Sequence, residues 1–237
     1  MASEPLPFTG DELSVLRSHG LAFFADRVIY EAQPPISAES LAYVESVCPG
    51  PIPEAVRELW SVTAGGQLDY DLTVTVEDRP TAFSWTELFY HGSSGYHDLH
   101  EWIDFQVELV HEGAAARGLA GRLDALPIGG FEYLERVYVV ADPDSPRYGS
   151  VVAWMSGAPA WTGLPGTNTA TALAPDLHSA FAQLRIDSNP IRDGELDVKA
   201  STGVELLGYL ESRCEDDGLP RELAERVQDF YLRAAVA

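Results

Sequence analysis

Lysine is nearly missing from this chain: Lys199 stands alone among 237 residues, and the basic total of 15 faces 37 acids, for a net charge of −22. Nucleic-acid binding draws on Lys and Arg that displace counterions from phosphates, so so few bases argue against a polynucleotide or an anionic membrane as partner. Cysteine is almost as scarce. Cys48 and Cys214 cannot make a disulfide framework, and neither belongs to a metal-type CxxC pair. No apolar run approaches the roughly 18 residues a membrane span requires. The opening MASEPLPFTG has no basic n-region and no apolar h-region. These absences lead us to expect a reduced, cytoplasmic protein. There is no GxSxG elbow, no Walker loop and no GxGxxG after a strand, so the common nucleophile and phosphate-binding signatures are wanting.

What the chain does have is 46% hydrophobic content, enough to bury a sizeable core. Its acids are also concentrated. Ten lie between Asp69 and Glu112, with Arg79 as the single base among them. A field of one sign accelerates encounter with a partner of the opposite sign, so a cationic protein is the expected partner. Solubility alone is the competing explanation for such acidity.

Periodicity gives the elements. Thr9 and Glu12 form a capping box ahead of Leu13, Leu16, Phe24 and Val28, which predicts a helix interrupted at Gly20 and stopped by Pro34-Pro35. Ser37 caps a second helix through Leu41, Val44 and Cys48. Pro53 opens a third, with Val56, Leu59, Trp60 and Thr63 on one face and Gly65-Gly66 as its C-terminal stop. Strict alternation over residues 68–77 predicts a half-buried strand, with Leu68, Tyr70, Leu72, Val74 and Val76 inward. Asp69, Asp71 and Glu77 then face solvent. An aromatic loop with Phe83, Trp85, Phe89, Tyr90 and Tyr96 follows.

Residues 98–112 return to helical period: Leu99, Trp102, Ile103, Gln106 and Val110 make a stripe opposite Glu101, Asp104 and Glu108. Strands are expected from Leu126, over 134–140 and over 149–155, with Asp142-Pro143-Asp144-Ser145-Pro146 as a turn. A Gly/Pro/Thr loop over 161–171, a short helix over 174–184 and a linker over 189–199 come next. Two helices close the chain, over 202–214 with Thr202 and Glu205 as a capping box, and over 220–236.

Four segments in order resemble the SUKH superfamily. They are Pro51-Ile52-Pro53-Glu54-Ala55-Val56-Arg57-Glu58-Leu59-Trp60 running into Ala64-Gly65-Gly66, Leu126-Pro127-Ile128-Gly129-Gly130, Gly149-Ser150-Val151-Val152-Ala153-Trp154, and the 174–184 helix with Phe181. Ala64 departs from the family's usual Asn. The resemblance covers about residues 36–187 and implies an α+β fold, a mostly antiparallel sheet with helices packed mainly on one face. Residues 1–35 would then be an N-terminal helical extension, and 188–237 a C-terminal linker and helical pair. It also implies a non-catalytic protein-binding role without a cofactor. Bacterial members resemble immunity proteins that neutralise a polymorphic toxin, often a nuclease; eukaryotic relatives look like Smi/Knr-type regulators of cell-wall synthesis. On the residues themselves, Pro53, Trp60, the Gly65-Gly66 pair and an inward Trp154 read as structural.

The candidate docking residues are therefore Asp69, Asp71 and Glu77 on the strand and Glu101, Asp104 and Glu108 on the helix. Trp85, Tyr90 and Tyr96 are candidate aromatic anchors. Core packing competes for Trp85 in particular. Other chemistry finds less support. His91, His97 and His100 invite a metal-dependent hydrolase, yet the zinc-protease helix needs His at i and i+4, and His97 and His100 are three apart. Asp69 and Asp71 share a strand face and could meet a sugar or a metal, but nothing else singles them out. Cys48 and Cys214 read as small buried hydrophobes. The expected function is an immunity-type binding module; a regulatory scaffold of the same fold is the alternative, and oligomeric state stays open.

Overall fold

The computed structural model describes residues 6–93, 98–116, 123–132, 134–155 and 170–235. Along the chain run α1 (Gly10–Ser18), β1 (Ala22–Phe24), β2 (Arg27–Ile29), α2 (Ala38–Val47), α3 (Glu54–Val62), β3 (Gly66–Gln67), β4 (Thr73–Val76), β5 (Arg79–Ala82) and β6 (Glu87–Leu88). Then come α4 (Leu99–Ala116), β7 (Ala125–Phe131), β8 (Glu135–Val140), β9 (Val151–Trp154), β10 (Thr171–Ala174) and α5 (Leu177–Phe181). The last elements are β11 (Ile191–Arg192), β12 (Glu195–Leu196), α6 (Val204–Asp216) and α7 (Arg221–Leu232). The fold is α+β.

Six strands make the central sheet in the order β10-β9-β8-β7-β6-β3, every neighbouring pair antiparallel. Val-rich β8 sits in its interior, and the pleat sorts its side chains between two faces. Val137 and Val139 join the core shared with Val56, Leu59 and Trp60 of α3 and Leu177 and Phe181 of α5. Arg136 and Tyr138 point the other way, and there the Arg136 guanidinium lies 3.8 Å from the centre of the Trp102 ring on α4. A buried cation over an indole face gains from the ring's negative quadrupole. It fixes α4 against the second face of the sheet. Trp154 shares that face, only half-buried and edge-on to Tyr138 at 6.4 Å. The four segments that carry the SUKH resemblance lie on α3 and its exit, β7, β9 and the β10–α5 stretch.

Close approach explains the glycines of β7. A Cβ on Gly129 would strike the Glu87 carbonyl and come within 2.7 Å of the Trp85 indole nitrogen. The Gly65-Gly66 pair serves the same end and is not the expected helix cap. α3 ends at Thr63 in extended conformation, with its N–H on the Leu59 carbonyl. A Cβ on Gly65 would lie 2.8 Å from the Leu88 carbonyl, and one on Gly66 2.9 Å from that of Tyr30.

The N-terminal helix is shorter than expected. Its capping box forms as predicted, Thr9 accepting from the Glu12 N–H at 3.3 Å and Glu12 from the Thr9 N–H at 2.7 Å. Gly20 at φ 71°, however, ends the helical path, and Ala25-Asp26, both at positive φ, turn a β1–β2 hairpin. Phe24 and Val28 are therefore strand residues; the run of aromatic and β-branched side chains favours extended backbone once the helix stops. Phe23 reaches Phe8 and Phe230 at ring separations of 5.0 and 5.4 Å, which ties the first segment to α7.

Other boundaries shift as well. The expected 174–184 helix shortens to α5, with Ala174 ending β10, and α5 is capped by Asp176 through the Ser179 N–H at 2.7 Å. The expected linker contains the β11–β12 hairpin, turned by Asp193-Gly194 at φ 53° and 83°. The 161–171 loop lies outside the described residues apart from its last two. Leu206, Leu207 and Leu210 of α6 and Leu223, Val227, Phe230 and Tyr231 of α7 belong to the same hydrophobic core as the sheet.

Candidate functional site

Three of the acids expected to dock a partner meet on α4. Leu99, Ile103, Gln106, Val110 and Ala114 are buried at 3/4 spacing, so one face of the helix is committed to the sheet. Its start is capped by Asp98, whose carboxylate accepts from the N–H of His100 at 2.8 Å and of Glu101 at 3.2 Å. The opposite face carries Glu101, Asp104, Glu108 and Glu112, all exposed, and no Lys or Arg occurs between Leu99 and Ala116.

That arrangement costs helix stability. Asp104, Glu108 and Glu112 follow one another at i,i+4, where like charges destabilise by about 0.2–0.5 kcal/mol per pair. Acids near a helix C-terminus also oppose the macrodipole. In the midst of these carboxylates stands Phe105, 51% exposed. Its ring meets the edge of Trp102, at 6.2 Å. A large apolar side chain left in water within an acidic ridge is a ready anchor for a partner surface. Periodicity did not select Phe105, although its place off the buried stripe, between Asp104 and Glu108, was the available signal.

The acids of the expected 68–77 strand lie elsewhere and do different things; only Thr73–Val76 of that stretch pairs as β4, while 68–72 link β3 to it. Leu68, Tyr70, Leu72 and Val74 face inward as expected, but the other side of this segment is covered. Asp69 Oδ1 accepts from the Gly203 N–H at 2.8 Å and Oδ2 from the Leu206 N–H at 2.9 Å. Asp71 accepts from the Thr202 hydroxyl at 2.6 Å and the Asp187 N–H at 2.8 Å. These carboxylates hold the C-terminal segment in place, which removes them from the docking surface and from a sugar or metal site. The Thr202–Glu205 capping box is likewise corrected: Gly203 is the N-cap at φ 90°, and the cap comes from Asp69. Glu77 is exposed at the tip of the β4–β5 hairpin, at φ 49° beside Asp78 at 61°.

Among the expected anchors, Trp85 is 0% exposed and packs edge-on against Phe181 at 5.0 Å, so it is core. Tyr90 is half-buried, its ring over Gly65. Tyr96 and His97 lie outside the described residues. His91 and His100 do not converge on a shared point; their rings stack face to face at 3.7 Å. His91 Nδ1 turns to Asp98 at 3.3 Å and His100 Nε2 to the Ser40 hydroxyl at 2.7 Å. Among the described residues no group of three or more His, Cys, Asp or Glu is placed to hold a metal. Burial pushes the Cys48 thiol up to about 12, far from thiolate chemistry at neutral pH. An open cleft of about 650 Å³ between the α1–β1 turn and α6 is lined by Arg17, Arg213, Glu31 and Asp217, charges that offset one another.

No helix among the described residues is long and apolar enough to cross a membrane. In comparisons with known proteins, no family model, no curated protein and no solved structure matches the chain.

Proposed function

We propose that this chain is a non-catalytic cytoplasmic binding module of the immunity-protein kind, which neutralises a basic toxin domain by covering it with the outer face of α4. The observation that carries the reading is the ridge itself: four exposed carboxylates around Phe105, with no Lys or Arg along the helix. Such a ridge repels a second acidic molecule and attracts a basic one. Carboxylates steer the encounter, while a desolvated aromatic supplies much of the affinity. The net charge of −22 extends the attraction beyond the ridge. The SUKH-like segments support the same role, since that superfamily supplies immunity proteins. A Smi/Knr-type regulatory scaffold would share the fold without a toxin partner.

The experiment is co-expression with the toxin domain encoded by the neighbouring gene. Survival of the host and co-purification of the two proteins are expected. Death of the host despite abundant folded protein would refute the reading, as would turnover of a substrate by the pure chain.

A further inference from the structure

Three rings stack between α2 and the start of α4. Tyr43 of α2 lies 4.1 Å from His100, and His100 lies 3.7 Å from His91, the two imidazoles only 10° from parallel. Each member of the stack is tied to a helix or loop. The Tyr43 hydroxyl donates to Asp104 on the acidic ridge. His100 bonds Ser40, a buried residue of α2, and His91 leads into a loop whose Gly92 N–H donates to Asp98 at 2.8 Å. Asp98 in turn caps α4. One small cluster thus joins α2, the loop and the α4 N-terminus.

Two parallel imidazoles at this separation stack well when at most one is charged, and repel when both are. The surroundings are otherwise acidic. His91 and Asp98 face His100 from the loop and the helix cap, Asp104 from α4, and Glu39 and the Tyr43 phenol from α2. Those carboxylates favour a charged His100, but burial, the first influence, and the neighbouring His91 charge outweigh them and hold its pKa below the ordinary value. A second proton must therefore separate the rings or stay off.

We propose that the His91–His100 stack is an acid-sensitive latch: it holds the α4 N-terminus, with Glu101 and Asp104, against α2 at neutral pH and lets it go in mildly acidic solution. The device stands on this geometry alone; only its effect on a partner rests on the function proposed above. Release would loosen the acidic ridge and place new positive charge beside it, so a cationic partner would be shed on acidification.

The test needs no partner and so separates the two ideas. Imidazole NMR titration and amide hydrogen exchange are followed on the full chain between pH 7.5 and 5, for the wild type, His91→Gln and His91→Phe. The phenylalanine variant keeps a flat ring without a charge. In the wild type, His100 should titrate below 6.5, and protection of the His100 and Glu101 amides, corrected for intrinsic exchange, should fall at least tenfold as the second proton binds. In both variants His100 should titrate higher; protection should persist to pH 5 in His91→Phe, which keeps the stacked ring, and should be lower already at pH 7.5 in His91→Gln, which loses it. A wild-type His100 that titrates as in the variants, or protection unchanged across the range, would overturn the latch.

Discussion

Asp69 and Leu206 are joined across 137 positions of sequence: the Asp69 carboxylate accepts the Leu206 N–H at 2.9 Å and so caps α6 from the connection between β3 and β4. The same carboxylate takes the Gly203 N–H, and the Asp69 carbonyl accepts from the Tyr231 hydroxyl of α7. One residue thereby fastens both C-terminal helices to the sheet side of the molecule. Its charge serves the fold.

Asp69→Ala should destabilise the protein by about 1–3 kcal/mol, the loss of a helix cap plus unpaired amides near the interior. Asp69→Asn should retain part of that. Urea denaturation followed by circular dichroism measures both, and a loss below about 0.5 kcal/mol for the alanine variant would show the cap to be dispensable.

The exposed acids of α4 should behave in the opposite sense. Glu108→Lys removes two i,i+4 repulsions, with Asp104 and Glu112, and suits the helix C-terminal half, so stability should rise by roughly 0.3–1 kcal/mol. The same substitution should weaken partner binding, a trade expected where a surface is kept for function at some cost to the fold. Thermal denaturation reads the first effect. A variant both less stable and equally competent in binding would contradict the assignment of this face.

The β4–β5 turn offers a conformational check. Glu77 and Asp78 both hold positive φ, which disfavours side chains with a Cβ, whereas the β11–β12 turn meets the same need with Asp193-Gly194. Asp78→Gly should therefore raise stability by about 0.5–1 kcal/mol. A lower melting temperature in calorimetry would mean the Asp78 side chain makes a contact of greater value.

Acid should act on Asp98 with a defined sign. Burial alone would raise its pKa, but the N–H groups of Gly92, Glu101 and His100 outweigh it and hold the carboxyl below its usual value. A depressed folded-state pKa means stability present above about 3.8 and lost as pH falls through the lower, folded value. Asp98→Asn keeps a capping oxygen but loses the charge and the second acceptor, which takes the Gly92 N–H. It should therefore cost about 1 kcal/mol near neutrality, and the difference from wild type should shrink as the pH falls below about 3.8. A gap that stays constant over that range would assign the effect to something other than the charge.

Much of the fold could be read from the chain because it is written locally. The Thr9–Glu12 box, the Ser37 cap, the stripe on α4 and the Val-rich strands β8 and β9 depend on neighbours within a few residues. What escaped depends on distant partners. Alternation placed Leu68, Tyr70, Leu72 and Val74 inward correctly, yet it could not reveal that α6 would arrive over Asp69. Thr202 with Glu205 satisfies a capping pattern, but the Thr202 hydroxyl turns to Asp71. Trp85, in an aromatic loop where core packing already competed with an anchor role, is core because Phe181, far along the chain, packs on it. Of the candidate site, Glu101, Asp104 and Glu108 were visible as a polar helix face. Phe105 was overlooked because a search for the buried stripe passes over the residue that breaks it.

The central claim, that the outer face of α4 grips a positively charged protein, is tested most directly by titration calorimetry against the basic toxin domain proposed as its partner. Wild type, Phe105→Ala and the triple variant Glu101→Lys, Glu108→Lys, Glu112→Lys are compared at low and high salt. The account predicts that Phe105→Ala weakens binding by roughly 30-fold or more, as for an aromatic anchor, and the triple reversal by about 10–1,000-fold with the salt dependence reduced. Affinities equal across all three proteins, and unmoved by salt, would contradict it.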